Sequence, residues 1–340
     1  MPAAATLVLS FAIAAAGVSA FLLLSLPLPF LLGPMAACLV AGLLGAPLRG
    51  SRPVSDAGRT ILGVAIGATI TPALFARLPE MAASIALIPL LIVAIGLTGY
   101  PVLRRLFGFD PATAWYGAMP GGLQDMLLFG EEAGGDVRAL GLIHATRVLI
   151  VVSVLPFFMA GTMGLDLTQA PGVPAGEVPG GQIALQVACA ALGWFAATRA
   201  GLFGASILGP LVVAAAFSLG GLLTARPPSE AIVAAQFVIG LAVGVKYAGL
   251  TWHELRRDVA AGVVYTLAIM AVAGAFAWAA MRFAGVPLIE ALLAFSPGGQ
   301  AEMVILALVA GADVAFVVTH HIVRLVLVIL GAPIAARWLR

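Results

Sequence analysis

Ten apolar runs separated by short polar breaks set the pattern of this chain. They fall at about 6–26, 28–46, 60–76, 82–103 and 137–160, then at 183–200, 203–223, 231–249, 259–281 and 314–336. Each is long enough to cross roughly 30 Å of hydrocarbon as a helix. Lipid offers a backbone no hydrogen-bond partners, so helices are the expected form throughout. Between the fourth and fifth run of each half lies a different kind of segment, 111–131 and 287–309, with Pro-Gly-Gly at its middle. Proline ends the helix before it, and glycine takes turn angles that other residues avoid. About ten residues remain on either side, only roughly 15 Å of helix. The segment therefore reads as a re-entrant hairpin or a broken helix with its tip near the midplane.

The pattern is also duplicated. MPGGLQDMLLFGEEAGGDV (Met119–Val137) recurs as SPGGQAEMVILALVAGADV (Ser296–Val314) at an offset of 177 residues, without a gap. On the same spacing Asp125 answers Glu302, Met126 answers Met303, Asp136 answers Asp313, His144 answers His321, Arg147 answers Arg324 and Pro156 answers Pro333. Upstream, LGVAIG (Leu62–Gly67) matches IGLAVG (Ile239–Gly244), and LLGP (Leu31–Pro34) matches ILGP (Ile207–Pro210) one residue off that spacing. The expected organisation is a first membrane repeat over 1–160, a Pro/Gly-rich linker over 161–181 on the non-cytoplasmic side, and a second repeat over 182–340. Matched charges inside a duplicated apolar half point to a transporter-type architecture.

Composition fixes the solvent and charge fixes the topology. A chain 62% hydrophobic and 9% charged is no soluble globular domain, since those carry roughly 25% charged residues. The first run has no Lys or Arg before it and so reads as a retained helix, not a signal peptide. Cys38 and Cys189 occupy unmatched positions, which predicts neither a disulfide nor a cysteine metal site. A net charge of +2 without a basic block gives no nucleic-acid surface. With Arg147 and Arg324 set aside as mid-span, five crossings per half place twelve basic residues on one face: Arg49, Arg52, Arg59, Arg104, Arg105, Arg138, Arg199, Lys246, Arg256, Arg257, Arg337 and Arg340. Only Arg77, Arg226 and Arg282 fall on the other. A fully crossing PGG segment degrades the split to nine against six, so the positive-inside rule favours the hairpin. The expected fold is an all-α polytopic membrane protein of two inverted repeats, each about five transmembrane helices plus a PGG-centred re-entrant or broken helix.

The repeated polar residues are the candidate chemistry. Arg147 and Arg324 sit near mid-bilayer, where an arginine costs about 2.5–3.5 kcal/mol and cannot shed its charge. Either each is ion-paired with a carboxylate such as Asp125 or Glu302, or the two forks grip an anionic substrate from symmetry-related sides. The half-helices starting at Gly121 and Gly122, and at Gly298 and Gly299, present unpaired N–H groups and a positive dipole end; the alternative is a turn that serves close packing alone. Asp125 and Glu302 stand in the first turn of those half-helices, as dipole compensation or as carboxylates that take up a proton or cation. Asp136 and Asp313 read as N-caps. His144 and His321 share a helical face with the arginines, as proton relays or as donors fixing a neighbour; for His320 the donor role is the expected one.

On these motifs the chain resembles the duplicated membrane AbrB family, whose two PGG-x-x-[DE]-M segments with His and Arg on the following helix cover essentially the whole sequence. The family's labels imply regulation of gene expression or ammonia monooxygenase activity. The histidines and cysteines form no metal-ligand trio, which speaks against an oxygenase. No Walker P-loop pattern occurs. The expected function is a secondary transporter of a small anionic metabolite coupled to protons or sodium, in a bacterial cytoplasmic (inner) membrane, without cofactor, metal or enzymatic activity. The alternative is a membrane-embedded sensor or regulator that affects gene expression without transport. The expected partners are a small anion, H+ or Na+ and the lipid bilayer, with homo-oligomeric assembly open.

Overall fold

The computed structural model of the chain describes residues 3–202 and 204–337. Among these residues every regular element is helical. The α-helices are α1 (Ala3–Leu23), α2 (Pro29–Leu43), α3 (Arg52–Gly67), α4 (Pro72–Ile85), α5 (Leu87–Pro101), α6 (Pro111–Ala118), α7 (Leu123–Glu132), α8 (Val137–Met163), α9 (Gly180–Arg199), α10 (Ala205–Leu219), α11 (Ser229–Gly244), the single turn α12 (Trp252–Glu254), α13 (Ala260–Ala284), α14 (Leu288–Phe295), α15 (Gln300–Val309) and α16 (Val314–Ala336). Seven helical stretches are long and apolar enough to cross a bilayer: Ala4–Leu23, Ala76–Leu106, Val137–Met163, Gly180–Arg199, Ser229–Tyr247, Trp252–Ala284 and Val314–Ala336. The protein is an all-helical integral membrane protein.

The other three expected runs are shorter or displaced, each for a local reason. The run 28–46 gives the 15-residue α2, which starts at Pro29 behind Leu28 in left-handed backbone (φ 49°). The run 203–223 gives the 15-residue α10, which starts after left-handed Gly204. Phe203, the first residue of that run, lies outside the described residues, as does Arg340 of the basic face. The run 60–76 is corrected: α3 opens at Arg52, with proline in its first turn, and stops at Gly67. There the Thr69 hydroxyl donates to the Ile66 carbonyl at 2.7 Å, and Pro72 opens the next helix. Proline is at home in a first helical turn, where its missing N–H has no intrahelical partner to lose.

Packing does not follow the sequence copies. Two compact units interleave along the chain: one comprises Met1–Leu78, Pro156–Gly249 and Val304–Ala315, the other Pro79–Leu155, Leu250–Met303 and Phe316–Arg340. Each takes helices from both copies. In the first unit α1 lies on α2 and α9 on α10, while α2 crosses α11 and α10 crosses α3. Gly63 and Gly67 close onto the backbone at Ile207 and Leu211, and Gly240 and Gly244 close onto Leu31 and Met35. A Cβ on Gly244 would stand 2.6 Å from the Met35 carbonyl oxygen. LGVAIG and IGLAVG are thus small-xxx-small crossings, the spacing that lets membrane helices gain van der Waals contact where lipid supplies little hydrophobic drive. The matched LLGP and ILGP segments form the opposite side of each crossing.

The linker is tied to this same unit. Leu28 N–H donates to Leu167 O at 2.8 Å and Ser229 N–H to Val173 O at 2.9 Å. The Thr168 hydroxyl and amide donate to Asp166 and hold its carboxyl below the usual range. The second unit carries both Pro-Gly-Gly turns.

Candidate functional site

The first PGG segment enters and returns. Asp110 caps α6 by accepting from Thr113 N–H at 2.9 Å, with Pro111 opening the helix. Met119 is extended (ψ 132°), as the residue before a proline must be, and Gly122 then caps α7. At the far end of the hairpin Asp136 N–H donates to the Thr113 hydroxyl at 2.7 Å, and the Tyr116 and Phe129 rings stack side by side at 6.2 Å. The start of α6 therefore lies beside the start of α8, and the segment folds back on itself. Around it Arg104 donates to Phe109 O, Arg257 stacks on the Phe109 ring, and Arg138 pairs with Glu254. The bounds of α6, α7 and the start of α8 recur 177 positions later in α14, α15 and α16.

The two arginines hold the turns. Arg147 on α8 donates from Nη1 to Met119 O at 3.2 Å and from Nη2 to Gly121 O at 3.3 Å. Arg324 on α16 does the same at the matched atoms, Ser296 O at 2.5 Å and Gly298 O at 3.1 Å. His144 Nε2 donates to Tyr116 O at 3.1 Å and His321 Nε2 to Leu293 O at 2.9 Å, one turn earlier on each short helix. All four side chains are buried. Short helices end in carbonyls without intrahelical partners and with partial negative charge, so guanidinium and imidazole donors satisfy what α6 and α14 leave open. Neither guanidinium lies within ion-pair distance of a carboxylate among the described residues, so the pairing with Asp125 or Glu302 considered from sequence is absent. Each arginine keeps one buried donor, Nε, without a protein partner.

The rest of the motif has a packing cause. A Cβ on Gly121 would stand 3.0 Å from the Met126 sulfur, and one on Gly298 3.0 Å from that of Met303. The methionine of PGG-x-x-[DE]-M therefore lies against the first glycine of its own turn. Asp125 and Glu302 are the third residues of α7 and α15, ahead of the first intrahelical bonds, Met126 N–H to Gly122 O and Met303 N–H to Gly299 O at 3.0 Å each. Glu302 folds back over Gly299, and Asp125 reaches its own backbone N–H. Both carboxylates thus sit at positive helix ends, and one Asp125 oxygen is buried without a partner. Asp136 caps α8 by accepting from Arg138 N–H and Ala139 N–H. Asp313 pairs with Arg77 at 2.7 Å, a contact the sequence pattern did not suggest.

Sequence reasoning also missed Tyr265. Its fully buried hydroxyl donates to Ala118 O at 2.8 Å, beside Arg147 and within electrostatic range of Arg324. The repeat conceals it, because the matched position is Ile88. Among the described residues no three His, Cys, Asp or Glu side chains gather as metal ligands. The arrangement is thus two matched turns, each offering helix-start amides and one unspent guanidinium N–H.

A family model described as "Transition state regulatory protein AbrB" matches residues 30–340. The protein named "Putative regulator AbrB" from Escherichia coli (strain K12) is 26% identical over 324 residues, which cover 94% of this chain and 92% of that protein. "Uncharacterized protein YhjN" from Bacillus subtilis (strain 168) is 28% identical over 292 residues, 81% of this chain and 76% of that protein.

Proposed function

The chain belongs to the AbrB family of integral membrane proteins, and on that footing we propose that it is a secondary transporter of a small anionic metabolite, driven by protons or sodium, in a bacterial cytoplasmic (inner) membrane. The observation that carries this reading is the paired buried guanidinium, each tethered through its two terminal nitrogens with Nε unspent. Ionisable groups at membrane depth face substrate or ion pathways as a rule. Helix starts at broken segments are where transporters hold anionic groups, and here α7 and α15 start beside the arginines. Arg147, Arg324 and the turn residues Gly121, Gly122, Gly298 and Gly299 form the anion site. Asp125, Glu302, His144 and His321 are its ion-coupling candidates.

The inverted repeat expected from the sequence fits the same reading. One returning hairpin and five crossings in a half put the second half in the opposite sense, and the twelve-to-three split of basic residues is the charge signature of that topology. Two oppositely oriented copies of one site give two equivalent half-cycles facing opposite sides.

Flux into sealed vesicles tests this. Small carboxylates and phosphate-bearing metabolites are presented to the reconstituted protein under an imposed proton or sodium gradient. The expected result is uphill entry of one anion class, lost in Arg147→Lys and Arg324→Lys, which keep charge without the fork. Binding without flux replaces the transporter with a membrane sensor or regulator. An anion carried unchanged by both variants overturns the arginine site.

A further inference from the structure

His320 is buried one residue before His321 and has no counterpart in the first copy, where Ile143 stands. Its Nδ1 lies 2.9 Å from Phe316 O and its Nε2 2.9 Å from the Ser84 hydroxyl oxygen. That hydroxyl is in turn 2.9 Å from Met81 O. A carbonyl only accepts, so Nδ1 carries a proton. A hydroxyl has one proton to give. When Ser84 gives it to Nε2, the imidazole is neutral. When Ser84 gives it to Met81 O, Nε2 must itself be protonated and donate to the hydroxyl oxygen, and the ring is imidazolium. The same five heavy atoms satisfy both states with one rotation about the Ser84 Cβ–Oγ bond.

Burial costs a charged ring here, and two aromatic rings offset part of that cost. The Phe316 ring lies 4.1 Å from the imidazole centre and the Phe295 ring 5.8 Å away, within the roughly 6 Å over which an aromatic face attracts a cation. His321 cannot do the same. Its Nε2 proton faces Leu293 O, and its Nδ1 faces the Arg324 guanidinium at 3.3 Å, so a second proton would set donor against donor. The ionisable groups on the elements packed at His320 are His321 and Arg324 on α16, Glu290 five residues before Phe295 on α14, and on α4 Glu80 four residues before Ser84 and Arg77 seven before it, the latter paired with Asp313.

We propose that His320 binds the coupling proton of the transport cycle, with the Ser84 hydroxyl as the rotor that changes from donor to acceptor. This rests on the transporter reading above and selects the proton from its two candidate ions. The step is imidazole plus H+ giving imidazolium, with no covalent bond broken. It adds a positive charge one turn from Arg324, which strengthens the site's hold on an anion and makes the coupling a symport. His320 and Ser84 occur in one copy each, the matched positions being Ile143 and Ala261, so the duplicated chain carries one proton site.

The test is solid-state NMR of the full chain, 15N-labelled at histidine, in lipid bilayers across a pH series. Ring nitrogens distinguish a neutral imidazole from an imidazolium without any substrate. One buried ring is expected to titrate, with signals that are lost in His320→Gln. Ser84→Ala should weaken proton binding at that ring about tenfold, the difference between a charged and a neutral hydrogen bond, while Ser84→Thr restores it. The absence of any buried titration, or a buried titration that survives His320→Gln or ignores Ser84→Ala, overturns the assignment. Failure of the transport reading shows separately, as a titrating His320 in a protein that moves no anion.

Discussion

Arg147→Met and Arg324→Met ask what a mid-membrane guanidinium contributes. Arg147 makes two bonds to backbone carbonyls, at 3.2 and 3.3 Å. Arg324 makes two at 2.5 and 3.1 Å and adds a third contact to His321 at 3.3 Å. A hydrogen bond from a charged donor contributes about 1.5–3 kcal/mol, so two give about 3–6 kcal/mol. Against this stands the cost of placing the charge there, about 2.5–3.5 kcal/mol. The net loss for Arg147→Met falls between about 0 and 3.5 kcal/mol. The charge cost is common to both positions, and Arg147 has its own further contact, with Tyr265, so the two losses should agree within about 1 kcal/mol. The guanidiniums also lie within electrostatic range of each other. Removing one relieves the other, and the double variant should lose less than the sum of the singles. Unfolding of the purified protein in one detergent at fixed ionic strength measures all three. Losses that differ by well over about 1 kcal/mol refute the bond accounting. Strict additivity refutes the mutual repulsion.

Two further outcomes follow from the packing. Gly244→Ala places a Cβ 2.6 Å from Met35 O, and the overpacked crossing should lose about 1–3 kcal/mol; Gly274→Ala in α13, with nothing within 4 Å, should be neutral or gain up to about 1 kcal/mol, and equal melting temperatures for the two would refute the crossing. Tyr265→Phe leaves Ala118 O without its donor and should cost about 1–3 kcal/mol, read as detergent unfolding; an unchanged protein would remove Tyr265 from the turn.

Much of the fold was legible because membrane helices announce themselves by apolar length, and the PGG break marked where two short helices meet. The boundaries that failed lie where local chemistry outranks hydropathy. Thr69 and Pro72 end one helix and start another inside a run that reads as continuous. The interleaved units were not legible at all, because repeat identity says which helices correspond and nothing about which ones touch. Duplication served the site in the same uneven way. It singled out Arg147, Arg324, His144 and His321, whose bonds match atom for atom across the copies. It hid Tyr265 and the His320–Ser84 pair, whose partners in the other copy are apolar. A residue present once in a duplicated chain gives no signal in a comparison of the halves.

That asymmetry bears on how a duplicated site does directional work. The arginines bond to carbonyls and leave Asp125 and Glu302 at helix starts, so among the described residues no carboxylate pairs with either guanidinium. Backbone carbonyls supply only partial charge, and two guanidiniums in electrostatic range retain a demand for an anion that an ion pair would have cancelled. The matched half of the site therefore sets what is bound. The unmatched half breaks the equivalence: Tyr265 braces one turn and not the other, and His320 can place a second charge beside Arg324 while Ile143 can place none beside Arg147. One turn is fixed and the other is open to titration, which lets a proton bias a site whose two halves are otherwise alike.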